Sequence, residues 1–173
     1  MTALSFHLSC VPPATTHQRK KIVTIRTRDG REFATLADTA ELNHAKALLE
    51  ELLIPHQPLG PLRGPVVLAI DYTWPWLASH GKRVRAGGPL PHLSRPDLTN
   101  VTKTLEDRLT ALRFIEDDRK VVDLHVRKWW GDEPGITVTI ACFVPTSRAH
   151  TPGRRVDTLP LLTGVVPETG GLL

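Results

Sequence analysis

One stretch sets the terms for the fold: Arg95-Pro96-Asp97, followed by Leu98, Val101, Leu105, Leu109 and Leu112. Pro96 fixes its own φ and disfavours the α region for Arg95. A helix therefore begins at or just after Pro96, with Asp97 as an N-cap whose carboxylate can accept a first-turn N–H. The apolar residues recur at helical spacing and form one stripe, which leaves Asp97, Asn100, Lys103, Thr104 and Asp107 on the other side. After a short turn with Glu116-Asp117-Asp118 comes a strand-like run from Val121 to Trp130. A helix start and a strand start can thus bring acidic groups and a lysine together, an arrangement suited to Mg²⁺-dependent phosphodiester chemistry. The same residues equally suit a helix cap and a turn before a strand.

The rest of the chain supplies the frame. Leu4 to Val11 reads as a first strand, stopped by Pro12-Pro13, and Ile22 to Arg28 as a second with Asp29-Gly30 as its turn signal. Leu36 to Leu53 is expected to be an amphipathic helix with Leu36, Ala40, Ala47 and Leu48 near one face, ended by Pro55 and the Pro58-Leu59-Gly60-Pro61 group. Val66 to Trp74 is a strand, and Val121 to Trp130 and Ile136 to Val144 are adjacent strands joined through the turn Gly131-Asp132-Glu133-Pro134-Gly135. This order predicts an α+β single domain: a mixed sheet with two amphipathic helices on one face and a C-terminal antiparallel hairpin. The domain is expected over residues 1–145. Residues 146–173, rich in Thr, Pro, Gly and Arg without periodicity, are expected to form a flexible C-terminal tail.

Charge narrows the function. The excess of basic over acidic residues, 22 against 18 in 173, permits nucleic-acid binding without requiring it. Its placement says more. Between Asp71 and Asp97 there is no acidic residue, whereas His80, Lys82, Arg83, Arg85, His92 and Arg95 all occur. Prolines and glycines break this segment up, so it fits a mobile arm without regular structure that meets phosphates and leads directly into Asp97. Arg19 and Lys20, in the polar segment Thr15 to Lys21, are further candidate DNA contacts; the segment also suits a solvated loop. Trp74 and Trp76 suit either base stacking or core packing. Cys10 and Cys142 match no metal-ligand pattern and are expected to be buried free thiols in a reducing compartment. No apolar run approaches the roughly 20 residues of a membrane span, and the N-terminus lacks a signal-peptide pattern. A cytoplasmic protein with no membrane partner is expected.

The run Arg95-Pro96-Asp97-Leu98-Thr99-Asn100-Val101-Thr102-Lys103 resembles the Asp-x-Asp-Asn-x-x-Lys motif of RusA-type Holliday junction resolvases. The likeness continues through Glu106-Asp107-Arg108-Leu109 and Asp117-Asp118-Arg119-Lys120-Val121-Val122, and the 21-residue interval from Asp97 to Asp118 suits that family. The resemblance implies a homodimeric, Mg²⁺-dependent endonuclease that resolves four-way (Holliday) DNA junctions in recombination and repair. Asp97 and Asp118 match the catalytic, metal-binding carboxylates, Lys103 the active-site lysine, and Asn100 the motif asparagine. The chain departs from the motif at Thr99, where the family carries a second aspartate. A hydroxyl is a neutral and poorer metal ligand. Thr99 could hold metal through a water, Glu116 could compensate from the same strand face as Asp118, or the chain could bind branched DNA without cutting it.

Overall fold

The computed structural model describes residues 3–15 and 18–144; His17 and the expected tail at residues 146–173 lie outside the described residues. Along the chain run β1 (Ala3–Leu8), β2 (Lys20–Arg26), β3 (Glu32–Asp38), α1 (Ala40–Leu53), β4 (Val66–Pro75), α2 (Lys82–Arg85), β5 (Leu90–Pro91), α3 (Leu98–Ala111), β6 (Val121–Gly131) and β7 (Gly135–Cys142). Short 3₁₀ turns occupy Ile54–His56 and Asp118–Lys120.

β4 is the middle strand of a five-stranded sheet of order β1-β7-β4-β6-β5. It is parallel to β6 and antiparallel to β7. Its buried residues alternate, Val66, Leu68, Ile70, Tyr72 and Trp74, so they share one sheet face. They form one core with Leu49 and Leu53 of α1 and Val101, Leu105 and Leu109 of α3, completed by Phe6, Leu8, Phe114, Ile136, Val138 and Ile140. This is the expected α+β arrangement of amphipathic helices on one face of a mixed sheet. The C-terminal strands form the expected antiparallel strand–turn–strand unit, and the sheet places β4 between them.

The structure corrects three local expectations. The helix expected from Leu36 begins at Ala40, because Glu32–Asp38 pairs with β2 as a separate two-stranded ribbon. Thr39 then caps α1, its hydroxyl accepting from the Leu42 N–H at 3.3 Å. The inward face of α1 is Leu42, Ala45, Leu49 and Leu53 rather than the alanine-rich side through Ala40 and Ala47. Three leucines bury far more apolar area than alanines, and that area sets how the helix rolls onto the sheet. Thr104, expected on the polar side of α3, is buried together with Thr102. Their hydroxyls donate to the carbonyls of Asn100 and Leu98, one turn back, which leaves the methyl groups to pack.

The arm between β4 and α3 carries more regular structure than its prolines and glycines suggest. It holds one turn of helix (α2), and β5 pairs with Trp129 and Trp130 of β6. The His92 ring stacks on Trp130 with centroids 3.8 Å apart and lies 4.7 Å from Trp74, and His80 meets Trp76 and Trp130 edge-on. Local propensity cannot report such long-range ring contacts. Trp74 is a core residue whose indole N–H donates to the Pro12 carbonyl at 3.0 Å. Trp76 donates to Asp132 at 2.7 Å. Cys10 and Cys142 are half-buried free thiols.

Candidate active site

α3 positions most of the site. Pro96, which precedes it, is buried, and the Lys128 ammonium on β6 donates to the carbonyls of Ser94 at 2.6 Å and Pro96 at 2.8 Å. The start of α3 is thereby tied to the sheet. Asp97 occupies the N-cap position, yet its carboxylate accepts no backbone N–H of the helix. It accepts instead from the Asn100 amide at 3.3 Å. An aspartate that satisfied the helix end would typically contribute about 1 kcal/mol. The exposed carboxylate instead lies close to the positive end of the helix dipole, which favours its negative charge.

Two turns further along, Lys103 is the hub. Its ammonium donates to Asp118 at 2.6 Å and pairs with Asp107 at 2.9 Å, one helical turn ahead. Hydrogen bonds that it donates to Asp107 and then Asp118 hold the lysine well above its ordinary range, so it is a cation throughout physiological pH. The neighbouring aspartates are separated by local structure. Asp117 caps the 3₁₀ turn by accepting from the Arg119 N–H at 2.9 Å and is forked by the Arg119 guanidinium, which holds its carboxyl well below the usual range. Asp118, the first residue of that turn, faces Lys103. Glu106, half-buried on α3, has its carboxyl pushed upward mainly by burial.

Beside Asp97 opens a polar cleft of about 320 Å³, lined by Gln18, Arg19, Arg95, Pro96, Asp97 and Asn100. The candidate DNA contacts Arg19 and Arg95 therefore converge on Asp97. Lys82 and Arg83 are exposed on α2. Arg85 turns back on the arm, donating to the carbonyls of His80 and Leu77 at 2.8 and 3.1 Å. Lys20 begins the ribbon, opposite Asp38. Thr99 is exposed in the first turn of α3, next to Asp97. Glu116 is placed elsewhere: it lines a different cleft with Pro61, Arg63, Thr110 and Arg113, near the far end of α3, with the Lys120 ammonium 3.9 Å away.

Sequence reasoning placed Asp107 on the polar side of α3 without giving it a role, and it did not foresee that Lys128 would tie down the start of α3. The i,i+4 spacing from Lys103 is a signal that could have found Asp107. Lys128 stands in the basic-aromatic run Arg127-Lys128-Trp129-Trp130, but its contacts to Ser94 and Pro96 depend on β6 lying beside the residues before α3.

Among the described residues, no group of three or more His, Cys, Asp or Glu side chains is gathered so as to hold a metal alone. Mg²⁺ is commonly held by only one or two carboxylates, with waters and substrate phosphates completing its shell. Asp97 and Asp118 are hard oxygen donors of that kind, so the donor chemistry fits. Among the described residues no helix is long and apolar enough to cross a membrane.

Residues 11–141 match the family model described as Endodeoxyribonuclease RusA. A Bacillus subtilis (strain 168) protein described as "Uncharacterized protein YqaN" is 29% identical over 110 residues, covering 61% of this chain and 77% of that protein.

Proposed function

The chain belongs to the RusA endodeoxyribonuclease family, and from that premise we propose that it is a Mg²⁺-dependent, homodimeric resolvase of four-way DNA junctions acting in recombination and repair. The observation that supports this most is Lys103, held between Asp107 and Asp118 on the helix whose start carries Asp97.

In this reading Asp97 and Asp118 hold Mg²⁺, which when bound supplies Lewis-acid polarisation of the scissile phosphate and activation of a water. The chain's own residues do the rest. Asn100 orients the Asp97 carboxylate. Lys103, charged at working pH, stabilises negative charge that develops on the phosphate, and Asp107 keeps the ammonium in place. Thr99 would offer a neutral oxygen beside Asp97, a weaker ligand than a carboxylate. Arg19 and Arg95 at the cleft, with Lys82 and Arg83, contact the DNA backbone and carry little sequence information. A two-fold enzyme matches a near-two-fold junction.

Thr99 favours a second reading, junction binding without cutting. Cleavage of an end-labelled four-way junction in Mg²⁺ separates the two. Under the first, the parent cuts, and Asp97→Asn and Asp118→Asn each bind junctions without cutting them. Cutting at the parental rate by either variant overturns the site. A parent that binds junctions but leaves them intact establishes the second reading.

A further inference from the structure

The β2–β3 ribbon pairs with no strand of the main sheet. Two strands alone are marginal in water, yet this pair exposes Ile22 and Leu36 to 74% and 65%. The register sets Lys20 opposite Asp38, Ile22 opposite Leu36, Thr24 opposite Ala34 and Arg26 opposite Glu32. Side chains alternate along a strand, so these eight residues share one face.

We propose that this face docks a second copy of the chain, ribbon on ribbon, about a two-fold axis running along the strands. That operation lays β2 of one protomer over β3 of the other. Ile22 then meets the copy's Leu36, Thr24 meets Ala34, Lys20 meets Asp38 and Arg26 meets Glu32, and each contact occurs twice, as an isologous interface requires. Every charge faces its opposite. A two-fold axis across the strands would instead set Lys20 against Arg26 and Asp38 against Glu32. The other face of the ribbon also exposes Ile25 and Phe33, to 44% and 49%, but it carries Lys21 with no acidic residue to meet it, so charge gives that face no register. Asp38 already binds Lys46 at 2.5 Å, so discrimination falls mainly on Arg26 and Glu32. Their pairing within one chain is long, 3.9 Å, and exposed, which leaves both able to face a partner. The face balances two basic residues against two acidic ones, unlike a surface built for nucleic acid. The inference rests on the dimer of the proposed function and not on its chemistry.

Sedimentation equilibrium of the full chain tests it. The parent is expected to be dimeric at micromolar concentration. Ile22→Lys with Leu36→Lys should weaken the dimer by about a hundredfold or more, since four apolar side chains lose their cover. Arg26→Glu and Glu32→Arg should each weaken it by roughly tenfold through like charges across the interface. An equimolar mixture of these two variants should recover the parental affinity as a heterodimer, because every reversed charge then meets its opposite. Within each variant chain the pair remains like-signed, so recovery cannot come from the contact inside one chain. Circular dichroism melts are used to check that these surface variants stay folded. A monomeric parent overturns both this inference and the dimer of the proposed function. A dimer unmoved by the ribbon variants, or a mixture that fails to recover, overturns this surface alone. Variants that lose junction binding while staying dimeric assign the ribbon to DNA instead and also overturn it.

Discussion

Lys103→Met separates chemistry from folding at the centre of the site. Methionine keeps an unbranched stem and deletes the ammonium that bonds Asp118 at 2.6 Å and Asp107 at 2.9 Å. The side chains of Lys103, Asp107 and Asp118 are 39%, 37% and 41% exposed, so solvent screens both pairs. Ion pairs this exposed contribute about 1 kcal/mol or less each. For a chain of this size that lowers the melting temperature by about 2–4 °C per kcal/mol. The expected effect on cleavage is much larger. Removing a preorganised donor aimed at developing negative charge costs about 10²–10³ in rate, roughly 2.7–4 kcal/mol. The assay is single-turnover cleavage of an end-labelled four-way junction at saturating enzyme, with a thermal melt on the same preparation. A slow but folded variant is the expected outcome. Parental cutting, or a melting point lowered in proportion to the lost activity, would show that Lys103 serves only the fold.

Replacing Lys82 and Arg83 together by alanine should flatten the salt dependence of junction binding, since each phosphate contact contributes roughly 0.9 to the slope on duplex DNA; an unchanged slope in a salt titration removes α2 from the DNA surface. Glu116→Gln should cut at the parental rate even at limiting Mg²⁺, because Glu116 lines a cleft with Thr110 and Arg113 near the other end of α3 from Asp97; a crippled variant would make it a ligand. The Lys103 pKa is raised, so its ion pairs persist below the ordinary lysine range and are lost only as pH rises past it; a basic limb in the pH–rate profile near neutrality that vanishes in Lys103→Arg would contradict this. Burial, with Lys128 nearby, lowers the His92 pKa, so the unfolded chain takes up the proton first and stability falls as pH drops through about 6.5. His92→Phe should flatten that acid decline in melting temperature, and an unchanged decline places its cause elsewhere.

The sequence by itself determined the elements whose signals are local. Pro96 and the leucine period placed α3, the alternation from Val66 to Trp74 placed β4, and the motif from Asp97 to Lys103 named the family that the comparison then matched. Those signals are written in neighbours a few residues apart, where backbone sterics and side-chain period act directly. Tertiary structure decided what depends on residues far apart in the chain. Pairing with β2 drew residues 36–38 out of the expected helix, and the Trp130 ring and the Lys128 ammonium fixed an arm that its glycines and prolines left open. The site divides in the same way. Asp97, Lys103 and Asp118 were legible as residue types at a spacing. That Asp107 shares the lysine follows from the i,i+4 spacing within α3, whereas that Arg119 claims Asp117 and that Glu116 faces another cleft followed only from the turn between α3 and β6. A carboxylate's role is set by the cation it can reach, and reach is a property of the folded chain.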